Sequence, residues 1–105
     1  MEDLKLNTSL QTQIGSKTSQ HILYQNAPNP FSEETTIKYF LSSNVKSAKL
    51  NVYDMQGTQV KGYQLHNFGE SEIKINASEL NSGMYLYALI ADGQEIDVKR
   101  MILTD

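Results

Sequence analysis

Few residues of this chain could support catalysis or metal binding, and they are scattered. Its 105 residues include two histidines, His21 and His66, and no cysteine. A structural zinc site would therefore need histidines and carboxylates gathered from distant loops. Serine, histidine and aspartate are present, but no nucleophile, base and orienting acid can be grouped by their spacing. We predict that the chain has no metal site, no cofactor and no enzymatic activity.

Two pairs of carboxylates are the best candidates for acid–base chemistry. Glu33 and Glu34 adjoin each other, and Glu70 and Glu72 flank a serine. Paired carboxylates can act as general acid and general base. Both pairs lie beside turn signals, however, where solvated surface charge is the ordinary explanation. We therefore favour a surface position for both.

Tyrosine is the commonest aromatic residue, with six copies against three phenylalanines. Exposed tyrosines could stack against sugar rings, and the chain would then be an adhesive or carbohydrate-binding module. Strand alternation assigns Tyr39 and one of Tyr85 and Tyr87 to a buried face, where cross-strand packing explains them. Glycan binding is kept as the alternative function. The tyrosines are Tyr24, Tyr39, Tyr53, Tyr63, Tyr85 and Tyr87.

The carboxyl-terminal run mixes basic and apolar residues and is predicted to be a strand. Its side chains would alternate between two faces, and each face would carry both kinds of residue. One face takes Val98, Arg100 and Ile102, and the other takes Lys99, Met101 and Leu103. Such a segment can close a sheet as an edge strand with gatekeeping charges. A free edge can also be recognised by a receptor through backbone pairing, and the two roles are compatible.

The overall composition is that of one ordinary globular domain. Apolar residues make up 39% of the chain and charged residues 20%, and the net charge is −3. No apolar run reaches the length of about 20 residues that spans a membrane. The lysines and arginines are dispersed, which argues against a nucleic-acid surface. The lack of cysteine leaves the redox compartment undefined.

Residues 1–21 differ from the remainder because they are rich in Thr, Ser, Gln and Asn. Three apolar residues among them have helical spacing, namely Leu6, Leu10 and Ile14. One interpretation is the end of a coiled-coil stalk. We favour a polar linker that is only marginally helical, since isolated helices shorter than about 12 to 15 residues are unstable. The predicted domain then comprises residues 22–105.

From residue 22 onward, turn signals separate short runs rich in Ile, Val, Leu and Tyr, which indicates an all-β domain. Apolar and polar residues alternate with a period of two, for example at Ile73 and Ile75, where a helix would need 3.6. The predicted strands are residues 22–26, 36–42, 48–54, 58–66, 70–76, 84–91 and 95–103.

The sixth run, residues 84–91, is apolar on both faces, which indicates a central strand covered from both sides. Asp92-Gly93 follows it and suits a tight type I′ hairpin to the seventh strand. Residues 54–57 offer a similar turn between the third and fourth strands. Seven short antiparallel strands with such turns predict a two-sheet, immunoglobulin-like β-sandwich, preceded by the short linker or marginal helix.

Residues 25–31 contain both prolines, Pro28 and Pro30. Each proline fixes its own φ and pushes the preceding residue towards extended backbone, so the segment forms a stiff, non-helical corner. Asn29 can bond nearby backbone groups, and Phe31 can plug one end of the apolar core. We expect a strand to begin next to this corner.

Together these motifs resemble the type A sorting domain of the type IX secretion system, a carboxyl-terminal module of secreted Bacteroidetes proteins. The proline corner resembles the family's start, residues 52–57 its apolar-Tyr-Asp-x-x-Gly hairpin, and residues 80–85 its Leu-x-x-Gly-apolar-Tyr segment. The basic-then-apolar ending agrees as well. The matching positions are Asn26, Pro28, Asn29, Pro30, Phe31, Tyr53, Asp54, Gly57, Gly83 and Tyr85.

The resemblance implies a non-enzymatic β-sandwich that labels an upstream cargo for export. The outer-membrane type IX translocon and its shuttle proteins would recognise it after transit through the periplasm, and the cargo would reach the cell surface or the medium. A sortase-like protease would remove the domain by a cut within or before residues 1–23. By position, the recognised ending corresponds to Lys99, Arg100, Met101, Ile102 and Leu103.

Export also requires a targeting signal. The first residues lack a basic region followed by an apolar one. We therefore expect the chain to be the end of a longer protein whose signal lies upstream.

Overall fold

A computed structural model describes residues 21–105, which form an all-β domain as predicted. The strands are β1 (Ile22–Leu23), β2 (Glu34–Leu41), β3 (Ala48–Asp54), β4 (Gln59–Leu65), β5 (Gly69–Asn76), β6 (Gly83–Ala91) and β7 (Gln94–Leu103). A 3-10 helix, Ala77–Glu79, joins β5 to β6. Residues 1–20, for which a linker or helix is predicted, lie outside the described residues, so the domain boundary at residue 22 stays a prediction. Within residues 21–105 there is no helix long and apolar enough to cross a membrane.

The strands form two antiparallel sheets that enclose one core. The smaller sheet has the order β1-β2-β5 and the larger has the order β4-β3-β6-β7. This is the predicted sandwich, with β6 in mid-sheet as expected. The expected cover on both faces of β6 is only partly found, because on its outer face Ala88 is 1% exposed, Leu86 and Ile90 are half-buried and Met84 is 38% exposed.

The core is built from the inward rows of alternating residues. In β2, Ile37, Tyr39 and Leu41 are 0%, 2% and 1% exposed. In β3, Leu50 and Val52 are fully buried. These are the inward faces that the two-residue period predicts.

Tyr85 and Tyr87 both lie on the inward face of β6, with 7% and 0% exposure. The expectation that only one of them is buried is wrong. Residues two apart in a strand share a face, so one buried tyrosine requires the other to point the same way.

The β6–β7 hairpin turns at Asp92-Gly93, as predicted. Both residues have positive φ, 50° and 81°, which suits a type I′ turn. The Asp92 carboxylate also accepts the N–H groups of Lys46 and Ser47 at 2.9 and 3.0 Å, and thereby joins the hairpin to the β2–β3 loop. The bonds from Ser47 and Lys46 hold the pKa of Asp92 below its usual value.

Residues 24–31 connect the two sheets on the side formed by β1 and β7. Near its start the segment lies beside β2, where Ala27 and Thr36 exchange two backbone hydrogen bonds. At its end it lies beside β7, where Phe31 pairs with Leu103 in parallel. Phe31 is 2% exposed and plugs the core as expected. Both prolines in the segment follow cis peptide bonds.

Candidate recognition surface

The terminal run, residues 99–103, is divided between the core and the surface. Met101 and Leu103 point between the sheets and are 0% and 3% exposed. A partner cannot touch these two side chains while the domain is folded. Their positions in the core make β7 part of the folding unit rather than an appended tail.

Arg100 and Ile102 point to the outer face of the four-stranded sheet. Arg100 is exposed and Ile102 is half-buried. Lys99 lies on the opposite face, near the margin of the core, where its Nζ is 3.4 Å from an Asp97 carboxylate oxygen. Arg100 and Ile102 are thus the two residues of the run that offer side chains on one open face.

The carboxyl-terminal half of β7 does not have the free edge that the sequence predicts. Segment 25–31 runs along it and bonds its backbone. Ile102 accepts the N–H of Phe31 at 2.9 Å and donates its own N–H to Asn29 Oδ1 at 2.9 Å. The N–H of Thr104 donates to the Phe31 carbonyl at 2.8 Å. A receptor could pair with this backbone only after the segment had left.

Asn26, rather than Asn29, provides the local bonds of the proline corner. Its side chain is buried, and Nδ2 donates to the Pro28 carbonyl at 3.1 Å and to the Thr35 hydroxyl at 2.9 Å. The Thr35 hydroxyl donates to the same carbonyl at 2.8 Å. The local role expected for Asn29 is therefore wrong, since its amide oxygen reaches across to β7.

The hydroxyl of Tyr87 fixes the start of the corner to β6. It accepts the Asn26 N–H at 2.7 Å and donates to the Tyr24 carbonyl at 2.8 Å. Burial of the side chain raises the pKa of Tyr87 to about 12. At neutral pH the phenol is therefore protonated and able to make both bonds. Its partners lie more than 60 positions away in the sequence, so no local pattern predicts this contact.

The residues considered for catalysis do not converge. Nδ1 of His21 accepts the Ser42 N–H at 3.2 Å, while His66 lies in the turn between β4 and β5. Among residues 21–105, no group of three or more histidine, cysteine, aspartate and glutamate side chains could hold a metal ion.

A groove of about 350 Å³ lies on the three-stranded sheet. Tyr24 forms one wall and is 41% exposed. The alternative glycan-binding function calls for several exposed tyrosines, and the groove offers one, because its second tyrosine, Tyr39, is 2% exposed. The lining residues are Tyr24, Lys38, Tyr39, Glu70, Ser71 and Glu72.

Comparison with protein families matches most of the chain to one family. The profile of the secretion system C-terminal sorting domain matches residues 25–104. The chain belongs to this family. The resemblance to the type IX sorting domain is thereby confirmed, and the match includes the proline corner, both turn motifs and the whole of β7.

Comparison with solved structures confirms the fold of the sorting domain. The BSP domain of a biofilm-associated protein is similar, with a TM-score of 0.57 and 14% identity. The similarity covers 79% of this chain and 15% of that chain. At this identity it shows the sandwich architecture alone. No curated protein matches the sorting domain with significance.

The hairpin motif of the sorting domain is a turn held by Asp54. Oδ1 of Asp54 accepts the N–H groups of Gln56 and Thr58, both at 3.0 Å. Gly57 has a φ of 88°, which strains a residue with a side chain. The motif residues here thus fix the β3–β4 connection.

The last motif of the sorting domain fixes the start of β6. Gly83 opens the strand with a φ of 151°. The hydroxyl of Tyr85 donates to the Asn81 carbonyl and closes the loop before the strand. On β3, the Tyr53 hydroxyl accepts the Asn51 amide at 3.2 Å. These motif positions therefore hold turns and strand starts within the domain itself.

One open face of the sorting domain groups apolar side chains around a single arginine. On adjacent strands, Leu86 is opposite Arg100 and Met84 is opposite Ile102. Met84 and Val98 are 38% and 36% exposed. We define the β6–β7 face as Met84, Leu86, Val98, Arg100 and Ile102. In β6, the sequence feature at this face is the apolar run, and that run predicts buried side chains rather than exposed ones.

Proposed function

We propose that this sorting domain directs an upstream cargo through the type IX secretion system and that the system recognises its β6–β7 face in the folded state. The family match over residues 25–104 carries the proposal. The choice of face is supported by burial, since Met101 and Leu103 lie in the core while Arg100 and Ile102 point outward.

The chemistry of the face defines the partner that it fits. Aliphatic side chains around one guanidinium suit an apolar surface that carries a carboxylate, because arginine pairs with carboxylates through two parallel bonds. In this proposal the partner is the outer-membrane translocon or one of its shuttle proteins, met in the periplasm before the cargo reaches the cell surface. The domain itself has no catalytic role.

A sortase-like protease would then separate the domain from the cargo. The cut is proposed within or before residues 1–23, as the family resemblance implies. The sandwich pairs from Ile22 onward. A cut upstream of this residue leaves every strand in place, so cleavage does not require unfolding.

The test is delivery of a reporter fused ahead of residues 1–105, behind a signal peptide, in a bacterium with a type IX system. We compare Arg100→Glu with Lys38→Glu, an exposed charge reversal on the other sheet. We expect Arg100→Glu to lower surface reporter by at least about tenfold, because a like charge at an interface costs several kcal/mol and about 1.4 kcal/mol already corresponds to tenfold in affinity. Lys38→Glu should be delivered like the wild type.

Folding controls separate recognition from stability. Both substituted side chains are exposed, so the thermal melts should lie close to that of the wild type, with a loss of at most about 1 kcal/mol for Lys38→Glu, whose carboxylate would lie opposite Glu72. Normal delivery of Arg100→Glu would exclude the β6–β7 face while leaving sorting intact. Failure of the wild-type fusion would remove the sorting function itself, and saccharide binding at the Tyr24 groove would become the function to test.

A further inference from the structure

β5 is an edge strand that no other described strand covers. It pairs with β2 on one side, and its 8 residues contain no proline. Its register with β2 is continuous, from Glu34 opposite Asn76 to Leu41 opposite Gly69. The two edge strands of the larger sheet are less regular, since β4 has a bulge against β3 and β7 has one against β6. Because bulges limit pairing with a further strand, β5 is the more regular edge for such pairing.

The hydrogen bonds of β2 define which backbone groups of β5 face outward. Thr36 uses its N–H and C=O to bond Ala27, on the side away from β5. Thr36 is opposite Lys74, so these two residues form a non-hydrogen-bonded pair of the β2–β5 ladder. By alternation, the N–H and C=O groups of Glu70, Glu72 and Lys74 point to the open edge.

The side chains of these residues are exposed and carry both signs of charge. A row of like charges would repel a second copy of the strand. In an antiparallel pair of two copies with the two-fold axis at Ile73, each Glu72 lies opposite a Lys74. With the axis at Glu72, the two Glu72 side chains would lie opposite each other. The charges therefore favour the first register.

We propose that two copies of this chain pair through β5, antiparallel, with Ile73 at the two-fold axis. The two smaller sheets would then form one continuous sheet. Glu72 and Lys74 point their backbone groups outward, so they form the hydrogen-bonded pairs that this register requires. Ile73 is half-buried against the core and meets its counterpart at the axis. Such an interface is self-complementary, as a two-fold dimer must be.

An ion pair within each copy is compatible with the same arrangement. Lys74 Nζ lies 3.4 Å from a Glu72 carboxylate oxygen of its own strand, and both side chains are about half exposed. Pairing of two copies brings these ion pairs together with opposite charges adjacent. The contact adds to the sorting function and does not depend on it, because β5 belongs to the sheet opposite the β6–β7 face.

The first test is the oligomeric state of the full chain, measured by sedimentation over a range of concentrations at low salt. Lys74→Glu places carboxylates opposite each other at both charged pairs. We expect its dissociation constant to rise about tenfold. The double variant Glu72→Lys/Lys74→Glu exchanges the two signs and should dimerise like the wild type. With the axis at Glu72, the same double variant would not restore the dimer.

The second test uses the absence of cysteine in the chain. Ile73→Cys places two thiols at the axis, and oxidised glutathione should convert them to an intermolecular disulfide while it is reduced to two thiols. Glu72→Cys is the matched control, because position 72 faces position 74 of the other copy. We expect crosslinking through position 73 and at least fivefold less through position 72.

The outcomes distinguish this proposal from other uses of the edge. A monomer at every concentration overturns the proposal, and so does a dimer that is insensitive to Lys74→Glu. Crosslinking through position 72 in preference to position 73, or a double variant as weak as the single one, also overturns it. Restoration by the double variant together with the position 73 crosslink supports it.

Discussion

At the scale of single residues, Tyr87 joins parts of the domain that are distant in sequence. Its hydroxyl bonds the Tyr24 carbonyl and the Asn26 N–H, and the phenol ring fills the core. Buried backbone groups that lose a partner cost about 1–3 kcal/mol, more than a hydrogen bond contributes on average. Removal of the Tyr87 hydroxyl should therefore change the free energy of unfolding measurably.

We expect Tyr87→Phe to lower the free energy of unfolding by about 1–3 kcal/mol, because two buried backbone groups lose their partner. Urea unfolding at pH 7 measures this loss. Tyr24→Phe is the matched control, since the Tyr24 side chain is 41% exposed, and it should change little.

The difference in unfolding free energy between the wild type and Tyr87→Phe should depend on pH. Folding raises the pKa of Tyr87 from 10.0 to about 12. Its contribution is therefore fully present below pH 10 and is lost as the pH rises towards 12. The gap in unfolding free energy between the wild type and Tyr87→Phe should close across this interval. A gap that stays constant up to pH 12 would contradict the assigned role of the hydroxyl.

Residues whose partners lie in the same turn were predictable, and residues whose partners are distant were not. Asp92-Gly93 forms a hairpin because positive φ values are a local property of those residue types. The bond from Ile102 to Asn29 spans 73 positions. Spacing and composition carry no information about such a pair, so a local role was expected for Asn29.

At the scale of elements, the period of two determines which faces meet in the core. β3 has the bounds that its sequence predicts, because three inward residues alternate with polar ones until the Asp54 turn. β1 is shorter than predicted and ends at Leu23. The residues after β1 first bond β2 at Ala27 and then bond β7 at Phe31. The alternation of apolar and polar residues does not predict this change of partner strand. The same segment covers the edge of β7 that was expected to be free.

The inward faces can be tested by truncation of side chains. Leu50 and Ile75 are 0% exposed and belong to opposite sheets. We expect Leu50→Ala and Ile75→Ala each to cost about 2–5 kcal/mol, through lost burial and the cavity left behind. Val60→Ala, at a residue that is 38% exposed, should cost less than about 0.5 kcal/mol. Chemical denaturation compares the three, and equal small losses would refute the assignment of the inward faces.

At the scale of the whole molecule, β7 completes the core, and segment 25–31 packs along the outer edge of β7. β7 contributes Met101 and Leu103 to the interior, and segment 25–31 closes over its outer edge. The terminal strand therefore cannot act as a separate address attached to a finished domain. In the folded protein the outward side chains of the terminal run, Arg100 and Ile102, lie opposite Leu86 and Met84 on the face that β7 forms with β6.

A chain truncated after Asp97 tests this view directly. Loss of the Met101 and Leu103 side chains alone removes about 4–10 kcal/mol, at about 2–5 kcal/mol for each buried aliphatic residue. The total stability of a domain is about 5–15 kcal/mol, and the truncation also exposes the edge of β6. We expect no cooperative thermal transition and a circular dichroism spectrum without β structure, whereas truncation after Thr104 should preserve both. A cooperatively folded Asp97 truncation would show that β7 is dispensable for folding. Because unfolding and loss of a recognition signal both abolish delivery, secretion assays need substitutions on the β6–β7 face rather than truncation of the strand.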